Sequence, residues 1–341
     1  MAHGTNRELT DRDGLPVLDP RLFSDDYCER KIMESKKKLY PGARVQVRSL
    51  EEIAATLDPD GCLEHMPFMP EMTSLCGRQF VVRHRLTKTC VEGCGGRLLG
   101  RTVTLEGAYC DGTAHEGCQR RCPLFWKDAW LKPAEPDSGA IAPGPAGRSV
   151  TGTSLRTKSN DGRFFCQSTE LGRATKYLFP IGFKRCTAEF QAGNVGLRKA
   201  FEFLWVPFVV KLKTKLLGVG AVQPVGDGSS TPSESLGLRA GELVEVKSAR
   251  EISLTLDRRG RNRGLEFTAS MLPFCGTQVR VKNRVEKMIL ETSGEMRDIA
   301  NTVILEGVTC DGHTILGGCS RHVFHLWREA WLRRVADETD R

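Results

Sequence analysis

Two stretches of this 341-residue chain open with valines alternating with polar residues, Val45-Gln46-Val47 after Gly42 and Val244-Glu245-Val246 after Gly241. Alternation of period two predicts a half-buried strand. Each strand is followed by a Ser with a Glu three residues on, Ser49/Glu52 and Ser248/Glu251, the capping-box spacing of one or two helical turns. A loop comes next, then a strand after Cys76-Gly77 or Cys275-Gly276, a turn, and a third strand (TVTLEG or TVILEG) ending at Cys-Asp-Gly. Last come Trp126/Trp130 and Trp327/Trp331, whose i, i+4 spacing predicts a short helix with an apolar face that closes the core.

The two stretches are copies of one unit. Residues 41–58 (PGARVQVRSLEEIAATLD) lie over 240–257 (AGELVEVKSAREISLTLD) at an offset of 199, held through Phe68/Phe267, Met72/Met271 and Cys76/Cys275. Single-residue slips bring Cys110 over Cys310 and Cys118 over Cys319. The chain divides into an N-terminal extension (1–40), a cysteine-rich repeat (41–133), a Pro/Gly/Ala linker (134–150), a unique middle segment (151–217), a second linker (218–239) and a second repeat (240–335). Residues 197–217 read as a basic helix interrupted at Pro207. This helix is too short and too charged to span a bilayer, so it lies on a surface or packs partly buried on the repeats.

Charge changes the picture in one place. The formal +8 is concentrated in residues 148–222, which net +9 from thirteen Lys or Arg against four Asp or Glu. The repeats are therefore near neutral, which weighs against nucleic-acid binding, and an acidic or phosphate-bearing ligand would meet 197–217. The first forty residues lack the apolar core of a secretory signal, so a cytoplasmic location is expected. In a reducing compartment the thirteen cysteines point to metal binding or chemistry more than to disulfides.

Cys76, Cys110, Cys118 and Cys122 form the expected metal set of the first repeat, and Cys275, Cys310, Cys319 and His322 that of the second, with His115 and His313 in reserve. Thiolates and imidazoles are the donors of tetrahedral zinc, so two zinc ions are expected, with iron second. The plainer reading is that a cysteine is a small buried hydrophobe. Catalytic candidates are His115, and Cys166 with Glu170 in the middle segment. Cys28, Cys62, Cys90, Cys94, Cys166 and Cys186 carry no assigned ligand role. Features that differ between the repeats are freer to serve a task than features held in common, which singles out His115, Cys122, Cys90 and Cys94.

The G-x-x-V-x-V opening and the succession of strands resemble SH3-like or KOW-like small barrels, which implies a mainly β fold of two tandem barrels joined by a partly helical segment. Leu57-Asp58, the run Pro67–Met72, Cys110-Asp111-Gly112, Gly117-Cys118, Phe125-Trp126-Lys127 and the run Phe165–Leu171 resemble uncharacterised bacterial proteins associated with biosynthetic gene clusters. That resemblance implies a setting in secondary metabolism and no activity. No phosphate-binding loop, dinucleotide fingerprint or nucleophile elbow is present. A metal-stabilised binding or accessory protein with a protein partner or carrier comes first among the functions. A metal- or thiol-dependent biosynthetic enzyme comes second, and a nucleic-acid-binding protein last.

Overall fold

The computed structural model describes residues 39–92, 95–134, 155–177, 183–198, 226, 231–310, 312 and 318–335, all within one compact unit, Leu39–Arg341. In the first stretch β1 (Arg44–Val47) leads into α1 (Leu50–Ala54), the small hairpin β2 (Cys62–Leu63) and β3 (Met66–Pro67), and a 3-10 turn at Pro70–Leu75. The long strands β4 (Gln79–Val91) and β5 (Gly95–Tyr109) follow, then β6 (Pro123–Lys127), a 3-10 turn at Asp128–Trp130 and β7 (Leu131–Pro133). The middle segment contributes β8 (Lys176–Tyr177) and α2 (Phe183–Gln191). The second stretch then repeats the series: β9 (Leu243–Val246), α3 (Ala249–Ser253), β10 (Arg261–Asn262), β11 (Leu265–Glu266), a 3-10 turn, β12 (Gln278–Ile289), β13 (Met296–Thr309), β14 (Phe324–Arg328), another 3-10 turn and β15 (Leu332–Arg334).

The fold is mainly β, with antiparallel sheets and few short helices. One sheet runs β6-β5-β4-β1-β7, with β8 added on β5, and the other runs β14-β13-β12-β9-β15. Registers agree as well as order: Val45 faces Phe80 and Val244 faces Val279, at the offset seen in the sequence. Each sheet is an open path, its outer strands unpaired with each other among the described residues.

Local chemistry accounts for the matching turns. Both capping boxes form: the Glu52 N–H donates to Ser49 Oγ at 3.2 Å and the Ser49 N–H to Glu52 Oε2 at 3.0 Å, with Ser248 and Glu251 doing the same. Asp58 Oδ1 accepts from the backbone N–H groups of Asp60 and Cys62, and Asp257 Oδ1 from those of Arg259 and Arg261. An aspartate that satisfies two turn amides is hard to replace, which explains the Leu-Asp pair in both stretches.

The tryptophans depart from expectation. Trp126 lies in β6 and Trp130 in the 3-10 turn that follows, not on a helix. A strand followed by one tight turn still brings both indoles to one side. Both are fully buried, edge-on to Phe68 at ring separations of 6.3 and 5.4 Å. Phe267 holds Trp327 and Trp331 alike, at 6.1 and 5.2 Å. The core role expected for them holds. The indole N–H groups of Trp130 and Trp331 donate to the hydroxyls of Thr56 and Thr255, whereas the buried N–H groups of Trp126 and Trp327 have no hydrogen-bond partner among the described residues.

Of the helix expected over 197–217, only Leu197 and Arg198 fall within the described residues. Among those residues no helix is long and apolar enough to cross a membrane.

Trp331→Ala removes a fully buried ring and its bond to Thr255. The expected cost is about 3–5 kcal/mol, as for other core aromatic deletions. Chemical denaturation monitored by circular dichroism measures it, and a loss below about 1 kcal/mol would contradict this account of the core.

Candidate functional site

The Cys-Asp-Gly loops do not close on themselves; each reaches the other sheet. Their path depends on one glycine. Gly112 takes φ +73°, and a Cβ placed there would lie 2.0 Å from the Cys118 carbonyl oxygen. At Gly312, φ +72°, a Cβ would lie 2.2 Å from that of Cys319. Only glycine lets the chain fold back so tightly on the following cysteine. Beyond it, the Gln119 N–H donates to the Lys287 carbonyl on β12 at 3.0 Å, and Gln119 Oε1 accepts from the Glu286 N–H at 2.6 Å. Cys118 Sγ receives the Ile289 N–H at 3.4 Å. Reciprocally, Cys319 meets Cys90 on β4, and Arg321 donates to the Cys90 carbonyl at 2.9 Å. Cys90 and Ile289 are equivalent positions, so the two docking contacts are related by a pseudo-twofold.

The middle segment fills this seam with two amides that act as short pieces of strand. Gln167 accepts from the Phe125 N–H and donates to the Phe125 carbonyl, both at 2.8 Å. Asn194 does the same to Arg85, at 2.8 and 2.7 Å, and also donates to Ser320 of the second stretch. Glu189 accepts from Ser320 and Asn194; burial raises its pKa against the pull of those two bonds.

On the Gln167 side, Cys110, His115, Cys118, Cys122 and Cys166 line a cavity of about 30 Å³. That is room for about two waters. Three of the four expected first-repeat ligands therefore come together, joined by the reserve His115 and by Cys166 from the middle segment. Cys76 does not join them. Its thiol donates to the Met72 carbonyl in the core and is pushed up to about 11 by burial and Glu51. Burial also raises Cys110, aided by Glu71, raises Cys118, and takes Cys166 to about 12. These are protonated thiols at neutral pH. Ser168 Oγ donates to Cys122 Sγ at 3.3 Å. Glu170 lies away from the cavity lining, its carboxylate paired with Arg173 at 3.3 Å.

The second-repeat set separates. Cys275 packs on the second core, and Cys310 receives the Gly312 N–H at 3.4 Å. Cys319 turns to Cys90, while His322 stacks on His84 with ring centroids 4.2 Å apart. Cys319 and His322 point to different neighbours because both belong to the joint between the sheets. His313, Cys28 and Cys94 lie outside the described residues, as does the side chain of Cys186. Among the described residues no three His, Cys, Asp or Glu side chains are grouped so as to hold a metal ion.

The residue combination that sequence reasoning missed is Cys90 with Cys319 and Arg321. Cys319 and Arg321 favour the Cys90 thiolate while burial and Glu291 oppose it, and the balance leaves Cys90 below the ordinary thiol value. Cys90 and burial raise Cys319 well above that value. Arg321 is 5% exposed, ion-paired to Glu291 at 2.6 and 3.0 Å, and lies 5.8 Å from the Phe125 ring centroid. Burial opposes its charge, but Glu291 outweighs burial. The one signal in the sequence was that Cys90 occurs in the first stretch only.

His115 is buried, with Nδ1 2.5 Å from Glu71 Oε1 and Nε2 3.1 Å from the Phe165 carbonyl. Both ring nitrogens face acceptors, which suits the imidazolium. Burial disfavours the charged ring, but Glu71, Phe165 and Asp111 together leave its pKa raised. A raised folded pKa contributes stability that is full below the unfolded value of about 6.5 and is lost as pH rises through the folded one. Urea denaturation between pH 6 and 9 should show the stability gap between the wild type and Glu71→Gln narrowing as pH rises. A gap constant with pH would show that His115 is not charged in the folded state.

No family model, curated protein or solved structure matches this chain, and the reading of the site rests on its own geometry.

Proposed function

We propose that this protein is a thiol-dependent redox protein: two SH3-like small barrels in tandem, with Cys90 as the reacting thiolate in the seam between them. The observation that carries this reading is the surroundings of Cys90. Its sulfur is half-buried near the end of β4, beside the loop that carries Cys319 and Arg321; the Arg321 guanidinium donates to the Cys90 carbonyl at 2.9 Å and is held in place by Glu291 at 2.6 Å. A cation close to a cysteine favours the thiolate, the form that is nucleophilic at neutral pH. The small-barrel reading is supported by the strand order, in which β1 lies between β4 and β7 and a 3-10 turn separates the last two strands.

Thiolate fraction and nucleophilicity pull in opposite directions, since a lower pKa yields more thiolate but a weaker nucleophile. At pH 6 the first effect wins, and Cys90 should react with iodoacetamide about tenfold faster than an ordinary free cysteine. Cys319→Ala should slow it, and Cys319→Ser, which keeps a donor, should slow it less. Mass-spectrometric labelling rates decide. Cys90 reacting no faster than Cys62, which burial takes to about 12, would sink the reading.

A second reading is the binding or accessory role with zinc as ligand. It is favoured by the cavity that Cys110, Cys118, Cys122 and Cys166 share. The donor set would then be one ion with Cys166 in place of Cys76, reached by rotation of those thiols. Elemental analysis of untagged protein should find one zinc per chain, lost in Cys122→Ser. Absence of zinc from the wild type would remove this reading. The basic helix expected over 197–217 remains the proposed contact for an acidic partner.

A further inference from the structure

We infer that Arg328 and Arg263, in the second repeat, form a binding site for a carboxylate supplied from outside the chain. The site shares no residue with the cavity at the seam and does not rest on the reading of Cys90.

The first repeat shows what the second one lacks. Lys127, 2% exposed at the end of β6, is ion-paired with Glu64 Oε2 at 2.7 Å. Glu64 sits in the turn between β2 and β3, with φ +52°. Arg328 and Arg263 hold the equivalent places. Lys127 faces Thr102 and Arg328 faces Thr302 in matching registers, and Arg263, with φ +47°, lies in the turn between β10 and β11. The carboxylate that balances the buried cation of the first repeat is thus replaced in the second by another cation.

Arg328 is 6% exposed, and neutral groups satisfy most of it. Nε donates to the Asn262 carbonyl at 3.3 Å, and Nη1 to the Ala300 carbonyl and the Thr302 hydroxyl at 2.6 and 2.9 Å. Nη2 donates to the Arg263 carbonyl at 2.9 Å. These bonds use four of the guanidinium's five N–H groups and leave one on Nη2. Carbonyls and a hydroxyl serve the hydrogen bonds but bring no net charge, and among the described residues Arg328 has no acidic partner. A buried charge without a counter-ion is costly. Here burial and the Arg263 charge both work against it.

A cavity of about 10 Å³ lies against both arginines, with Ser233, Asn262 and Asn301 also in its wall. That is room for one oxygen atom, as the first repeat takes one from Glu64, and not for the several oxygens of a phosphate. Glu234 lines the cavity too, but is paired with Lys247 at 3.2 Å, so the charge left over is positive. The exposed Arg263 side chain makes no hydrogen bond or ion pair among the described residues. One carboxylate oxygen therefore takes the remaining N–H of Arg328 and the other pairs with Arg263, the charge-assisted bonding for which guanidinium is suited. The rest of the ligand stays outside, so the carboxylate belongs to an acidic side chain of a polypeptide or to a small organic acid.

The test titrates the full-length chain with sodium acetate in place of sodium chloride, at pH 7 and constant ionic strength. The readout is the Arg328 Nε–H resonance, identified by its loss in Arg328→Lys. In the wild type it should shift to saturation. Arg263→Gln, a change at an exposed position, should weaken the titration by about tenfold, as loss of a charge-assisted hydrogen bond does. Arg263→Glu should abolish it and, by restoring within the chain the pairing of the first repeat, raise the thermal midpoint by about 2 °C. An acetylated and amidated Gly-Gly-Glu-Gly-Gly peptide that binds more tightly than acetate marks a polypeptide as the source; one that binds no more tightly marks a small organic acid. Absence of a saturable shift with acetate, an undiminished response in Arg263→Gln, or a lowered midpoint in Arg263→Glu would overturn the site.

Discussion

Each sheet sends a loop across to the other, and the crossing depends on a glycine with positive φ at the foot of each loop. A side chain at Gly112 or Gly312 would collide with the chain at Cys118 or Cys319. Without the fold-back, Gln119 would not reach Lys287 and Arg321 would not reach Cys90. Seam, cavity and thiol contact all follow from that path. Because both loops make the crossing, the joint is reciprocal in the way a symmetric dimer interface is, though it lies within one chain.

The joint is also where the equivalence of the sheets ends. On one side Cys118 meets a backbone N–H; on the other Cys319 meets a second thiol beside a buried guanidinium. Burying Arg321 and Glu291 costs desolvation energy, and removing either partner of such a pair typically costs about 3–5 kcal/mol. Arg321 therefore stays charged and in place, and its field acts on Cys90. Burial moves Cys110, Cys118 and Cys166 the opposite way, at Cys118 outweighing the nearby Arg120. Similar cysteines, a short distance apart, thus have opposite chemistry for reasons of dielectric and neighbouring charge.

The middle segment acts as a wedge that favours one side. Gln167 and Asn194 each satisfy both backbone groups of a single strand residue, as a neighbouring strand would. Asn194 and Ser168 also touch the second stretch, through Ser320 and Arg321. The Cys166–Glu170 run reads as a reactive centre in sequence, yet most of it is fastening: Gln167 pairs with β6, Thr169 closes a turn on Cys166, and Glu170 pairs with Arg173.

Much of the local architecture was legible in the residues alone. Period-two valines, capping boxes at Ser49 and Ser248, and the 199-residue offset are short-range signals, and each corresponds to a strand, a helical turn or a register in the fold. The indole pairs were read correctly as core and wrongly as helical, because i, i+4 spacing looks the same when a strand runs into one 3-10 turn. The recurrence of Cys118 as Cys319 was legible too, but its cause was not. Shared ligation and reciprocal docking leave the same trace in a sequence, and the choice between them depends on which sheet the loop faces. Contacts of Cys90 with Cys319, of Arg321 with Cys90, and of His115 with Glu71 join residues far apart in the chain, where no periodicity or spacing reports. What sets their chemistry is burial and the charge alongside, and these exist only once the two sheets have met.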